Sequence, residues 1–104
     1  MAEEEVVELT RRWADEHGAR AVVVFDGRAP DVRPSDDHRL VGTGRESADE
    51  WIERAAARLV EKGARYWLVT SDRALRAAAG DAAERTIGGG TFARALRDLR
   101  DRGG

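Results

Sequence analysis

Ala21-Val22-Val23-Val24-Phe25 is an unbroken apolar run with β-branched residues at its centre, and Tyr66-Trp67-Leu68-Val69-Thr70 is a second one. Runs this short and continuous suit strands buried on both faces, which occur where helices cover a parallel sheet. Helical periodicity surrounds them. Val6, Leu9, Thr10, Trp13, Ala14 and His17 repeat at helical spacing before the first run, behind Glu3, Glu4 and Glu5 near the favourable amino end, and Gly18 is a stop signal. Ile52, Ala55, Ala56, Leu59 and Val60 form a second apolar stripe, with Ser47 and Glu50 as a capping box and Gly63 as its end. A short helix is expected from Asp72 to Ala79, and Thr91 is expected to cap a terminal helix with Phe92, Ala95, Leu96 and Leu99 inward. Weaker strands are expected at Arg39-Leu40-Val41 and Arg85-Thr86-Ile87. Strands alternating with helices predict an α/β layered domain with a mainly parallel sheet.

The 104 residues predict one domain, residues 1–104. With 41% hydrophobic and 37% charged residues the composition is that of a globular chain, and no apolar run is long enough to span a bilayer. The absence of cysteine excludes a disulfide framework and thiolate metal sites, and a cytoplasmic setting is the expectation. A net charge of −2 argues against binding nucleic acid by bulk electrostatics. Lys62 is the only lysine, so 17 of the 18 basic residues are arginines. That bias suits phosphate recognition, and it equally fits a GC-rich genome. Asp26 to Asp37 holds both prolines, Gly27 and four aspartates, and reads as a loop.

In open parallel sheets, ligands bind beyond the carboxyl ends of the strands. Asp26 directly follows the first run, Asp72 follows the second with Ser71 between, and Asp49 lies in the first turn of the helix after the Leu40–Val41 strand. Three converging carboxylates without cysteine select a hard cation such as Mg²⁺ or Mn²⁺. Each acid also has a purely structural reading. Asp26 can open a turn with Gly27, Asp49 can favour the positive end of its helix, and Asp72 can cap the one that follows. A phosphoacceptor receiver domain fits poorly, because Lys62 lies on a helix rather than after a late strand. An Asp-x-Asp phosphatase would need an acid where Arg28 stands, and Gly42-Thr43-Gly44 is only a fragment of a phosphate-binding fingerprint. His17 and His38 are isolated and read as surface residues, and Trp67 reads as core.

Three blocks carry a resemblance. Val22-Val23-Val24-Phe25-Asp26-Gly27, Glu46-Ser47-Ala48-Asp49-Glu50-Trp51-Ile52-Glu53 and Val69-Thr70-Ser71-Asp72-Arg73-Ala74-Leu75 resemble the YacP-like branch of NYN domains, within the PIN-like nuclease superfamily. The ending Ile87-Gly88-Gly89-Gly90-Thr91-Phe92 is similar to the family's last strand, polar turn and final helix, and the likeness covers roughly residues 5 to 100. It implies a three-layer α/β domain and a metal-dependent endoribonuclease acting on single-stranded RNA with Mg²⁺ or Mn²⁺. It further implies Asp49 and Asp72 as metal ligands, Asp26 as an acid of the same set, and Glu46 and Ser71 as supporting polar groups. Arg28, Arg45 and Arg73 stand beside these acids as candidate contacts to RNA phosphates.

The chain departs from the family at its start. Members begin with a strand ending in an Asp-Gly-Tyr-Asn type motif, placed in the middle of the sheet, and no such block is present here. Direct pairing of the two apolar runs would give the strand order 2-1-3-4; the alternatives are a gap or a strand supplied from elsewhere, including a homodimer that completes the sheet. The rival expectation from another class is a catalytically silent module that keeps the fold and binds RNA or a protein.

Overall fold

The two apolar runs become β1 (Val22–Phe25) and β3 (Trp67–Val69), and each has one parallel neighbour in the computed structural model, which describes residues 1–103. β2 (Arg39–Gly42) lies along β1 with Val22 opposite Arg39 and Phe25 opposite Gly42. β4 (Arg85–Ile87) lies along β3 with Trp67 opposite Arg85 and Val69 opposite Ile87. Among the described residues these are two separate two-stranded sheets, so the single 2-1-3-4 sheet that direct pairing would give is not formed. Each pair is joined by the crossover that parallel strands need. For β1 and β2 that crossover is the proline-bearing loop, and for β3 and β4 it contains a helix, α3 (Arg73–Ala79). With α1 (Glu3–Glu16), α2 (Ala48–Glu61) and α4 (Gly89–Gly103), the elements alternate as an α/β chain should. They fall into two compact units, one made of Met1–Ala48 with the stretch from Ala95, the other of Asp49–Arg94.

In the first unit, the inward face of α1 is set by Val7, Thr10 and Ala14, with Leu9 also buried. Of the expected stripe Leu9, Thr10 and Ala14 are buried and Val6 is half-buried, while Val7, outside it, is fully buried. Trp13 stacks on the exposed His17 with ring centroids 4.1 Å apart. β1 is less buried than its unbroken apolar run implied: Val22 is half exposed. His38, read from the sequence as a surface residue, is buried. Its Nδ1 accepts the Ala21 N–H at 3.0 Å, so the neutral ring carries its proton on Nε2 and donates it to Asp15 Oδ1 at 2.7 Å. A lone histidine in a polar segment gives no burial signal, and both of its hydrogen-bond partners are distant in sequence.

In the second unit, Ala56, Leu68, Leu75 and Ala79 form the core, with Ile52, Tyr66 and Ala83 packed against it. Burying a leucine such as Leu75 contributes roughly 2 kcal/mol. Tyr66 buries its ring edge here and donates its hydroxyl to the Ala79 carbonyl at 2.6 Å. The Arg85 guanidinium stands 5.1 Å over the Trp67 ring, which is half-buried rather than core. Val60, expected inward, is half exposed at the rim of a groove whose wall is Ala77, Ala78 and Ala82, side chains too short to cover it. Gly18 and Gly63 end α1 and α2 with φ of +63° and +67°, as expected of stop residues.

Candidate functional site

Both candidate regions lie at the carboxyl ends of strands. In the first unit, Asp26 leaves β1 and sends Oδ1 to the N–H of Ala48, the first residue of α2, at 2.6 Å. A carboxylate at a helix start satisfies an orphan donor and complements the helix dipole. The sequence offered the Asp-Gly turn as the structural role of Asp26; the distant helix cap could not be read locally. Around it, the Thr43 hydroxyl donates to the Glu46 carbonyl at 2.5 Å, so Glu46 contributes its backbone to this turn. Gly27 and Gly44 form a single antiparallel bridge that closes the two strand ends. Arg28 and Arg45 are exposed and, among the described residues, make no hydrogen bond or ion pair.

In the second unit, Asp49 stands exposed in the first turn of α2, and Asp72 caps α3, its Oδ1 accepting the Leu75 N–H at 2.9 Å. The Thr70 hydroxyl in turn accepts the Asp72 N–H at 3.0 Å, which fixes the backbone just past β3. Ser71 accepts the Gly89 N–H at 3.0 Å, tying that same backbone to the start of α4. This is the start of the helix, two residues before the expected cap at Thr91, and the cap is Ser71 from another element. The approach requires glycine: a Cβ on Gly89 would collide with Ser71 Oγ. Arg73 is exposed without a hydrogen bond among the described residues, whereas Arg76 reaches back to donate to the Thr70 carbonyl at 3.2 Å. The sequence reading missed Arg76. Its position one turn after Asp72 on the same helix is the signal that points to it.

Thus Ser71, Asp72, Thr70 and Arg76 are brought together, and Asp26 is joined to the residue preceding Asp49. Among the described residues of either unit, no three carboxylate or imidazole groups gather closely enough to hold a metal ion by themselves. Asp26 and Asp72 each engage Oδ1.

The comparisons with known proteins bear on the family and the fold. The family described as YacP-like NYN domain matches over residues 1–101. No curated protein matches the chain. Among solved structures, Rae1 (YacP) from Bacillus subtilis is similar with a TM-score of 0.72 at 22% sequence identity, over 95% of this chain. The chain spans 60% of the length of that one. At this identity the likeness is one of fold, an α/β chain of alternating helices and short parallel strand pairs. On the match that runs through nearly its whole length, the chain belongs to the YacP-like NYN domain family.

Proposed function

We propose that this chain is a divalent-metal-dependent endoribonuclease that hydrolyses phosphodiester bonds of single-stranded RNA. The observation that carries the reading is the placement of Asp26 and Asp72 directly past the carboxyl ends of β1 and β3, in a chain of the NYN family. The carboxyl end of a strand is where parallel sheets bind their ligands. The donors are of the chemical kind a hard cation takes, carboxylate oxygens, and Asp26 and Asp72 each spend Oδ1 on a backbone N–H while Oδ2 makes no hydrogen bond among the described residues. Asp49 and Asp72 would hold Mg²⁺ or Mn²⁺, with Asp26 the third acid of the set. Such a cation supplies an acidified water and charge stabilisation at phosphorus. Ser71 and the Glu46 turn keep the strand-end backbone in place, and Arg28, Arg45 and Arg73 are exposed cations for RNA phosphates.

The test is cleavage of a labelled single-stranded RNA with Mn²⁺, with EDTA, and with the Asp49→Asn variant. Cutting that needs Mn²⁺ and is lost in the variant supports the reading; a folded wild type that leaves the RNA intact in Mn²⁺ overturns it. A second reading, a non-catalytic module that binds RNA or a protein, is favoured by the structural work of the two aspartates, each fastened to a helix start. It expects RNA affinity to survive Asp49→Asn and Asp72→Asn with no cleavage in any form.

A further inference from the structure

We infer that Arg76, rather than Arg73, is the principal phosphate-contacting residue at the carboxyl edge of the second sheet, an inference that rests on RNA being the substrate. Three observations converge on it. First, Arg76 is held: one Nη2 hydrogen bonds to the Thr70 carbonyl at 3.2 Å, at the residue that follows β3. Second, the same Nη2 lies 3.5 Å from where a side chain on Gly88 would begin, and Gly88 follows β4. The guanidinium therefore stands near the ends of both strands of this sheet. Third, the charge is not neutralised: among the described residues Arg76 makes no ion pair, and the rest of its planar fork donates to nothing.

A guanidinium fixed by one N–H and offering the others is suited to grip a phosphate, since the ordering cost is already met by the Thr70 bond. Asp72 begins the same helix one turn earlier, with the Arg76 N–H bonded to its carbonyl at 3.0 Å. The acid expected to hold the cation and the arginine are thus carried by one rigid helical turn. Arg73 has no such tether, and an unrestrained arginine gives up more side-chain freedom on binding.

The experiment measures binding of a fluorescein-labelled 12-nucleotide single-stranded RNA, in EDTA, across a salt series. Each phosphate contact on a single strand contributes about 0.7 to the slope of log affinity against log salt. Arg76→Gln is expected to lower that slope by about 0.7 and to weaken binding about fivefold at 0.1 M salt. Arg76→Lys keeps the charge and is expected to retain the slope. Arg65→Gln removes one charge at the opposite, amino end of β3 and is expected to leave the slope unchanged. A merely structural tie to Thr70 would alter stability and not the slope. An unchanged slope in Arg76→Gln, or an equal fall in Arg65→Gln, overturns the assignment of Arg76 while leaving the RNA reading intact. A wild type that does not bind the RNA overturns both. Should Arg76→Gln not fold, the Arg76 Nε–H resonance of the wild-type protein decides: a shift on RNA addition supports the contact, and a stationary signal overturns it.

Discussion

Asp26 accepts the Ala48 N–H through Oδ1, and an asparagine there keeps an acceptor of the same shape while losing the charge. The same holds for Asp72 and the Leu75 N–H. Stability and activity therefore separate by choice of substitution. Asp72→Ala is expected to cost about 1 kcal/mol through the lost helix cap, and Asp26→Ala a similar amount, both read by urea denaturation. Asp72→Asn should hold stability close to that of the wild type while RNA cleavage falls below detection. Asp49 supplies the contrast. It is exposed and its side chain makes no hydrogen bond or ion pair among the described residues, so Asp49→Ala is expected to shift stability by less than about 0.5 kcal/mol. If all three aspartates destabilise alike when charge alone is removed, the carboxylates act on the fold and not on a cation.

Between elements, the tie from β3 to α4 rests on one hydroxyl and one missing side chain. Gly89→Ala drives a methyl group into Ser71 Oγ and is expected to cost about 1–3 kcal/mol. Ser71→Ala loses the cap, about 1 kcal/mol, but also clears the space. A double-mutant cycle should therefore show Gly89→Ala costing less in the Ser71→Ala background than alone, a coupling that independent sites would not give. The elements themselves were readable because apolar runs, helical stripes and glycine stops are local patterns: Arg85–Ile87 is a strand, and Asp72 caps a short helix ending at Ala79. What escaped the sequence is what acts across elements. Asp26 reaches the first N–H of α2, Ser71 accepts the first N–H of α4, and His38 is hydrogen bonded to Asp15 and Ala21. None of these pairings leaves a periodicity to detect. Arg76 was passed over for the same reason, since its tether to Thr70 depends on how α3 turns back toward the strand it follows.

For the whole molecule, a cation held by the folded chain and not by the unfolded one must raise the melting temperature. At a Mn²⁺ concentration 100 times the dissociation constant the gain is about 2.7 kcal/mol, or roughly 10 °C for a chain of this size. Scanning calorimetry is expected to show that rise in the wild type, its reversal by EDTA, and a smaller rise in Asp49→Asn. An identical melting temperature with and without Mn²⁺ would remove the metal from the account. The division into two units has a consequence of its own, because they are not laid out one after the other. Asp49–Arg94 is continuous, whereas the first unit takes back the stretch from Ala95, including the buried Leu96 and Leu99. A ribosome thus delivers the middle of the chain whole before it delivers the last piece of what came first. The unit begun earliest is finished latest, and a nascent chain stalled just past Arg94 carries α1, β1 and β2 still waiting for the leucines that complete their unit.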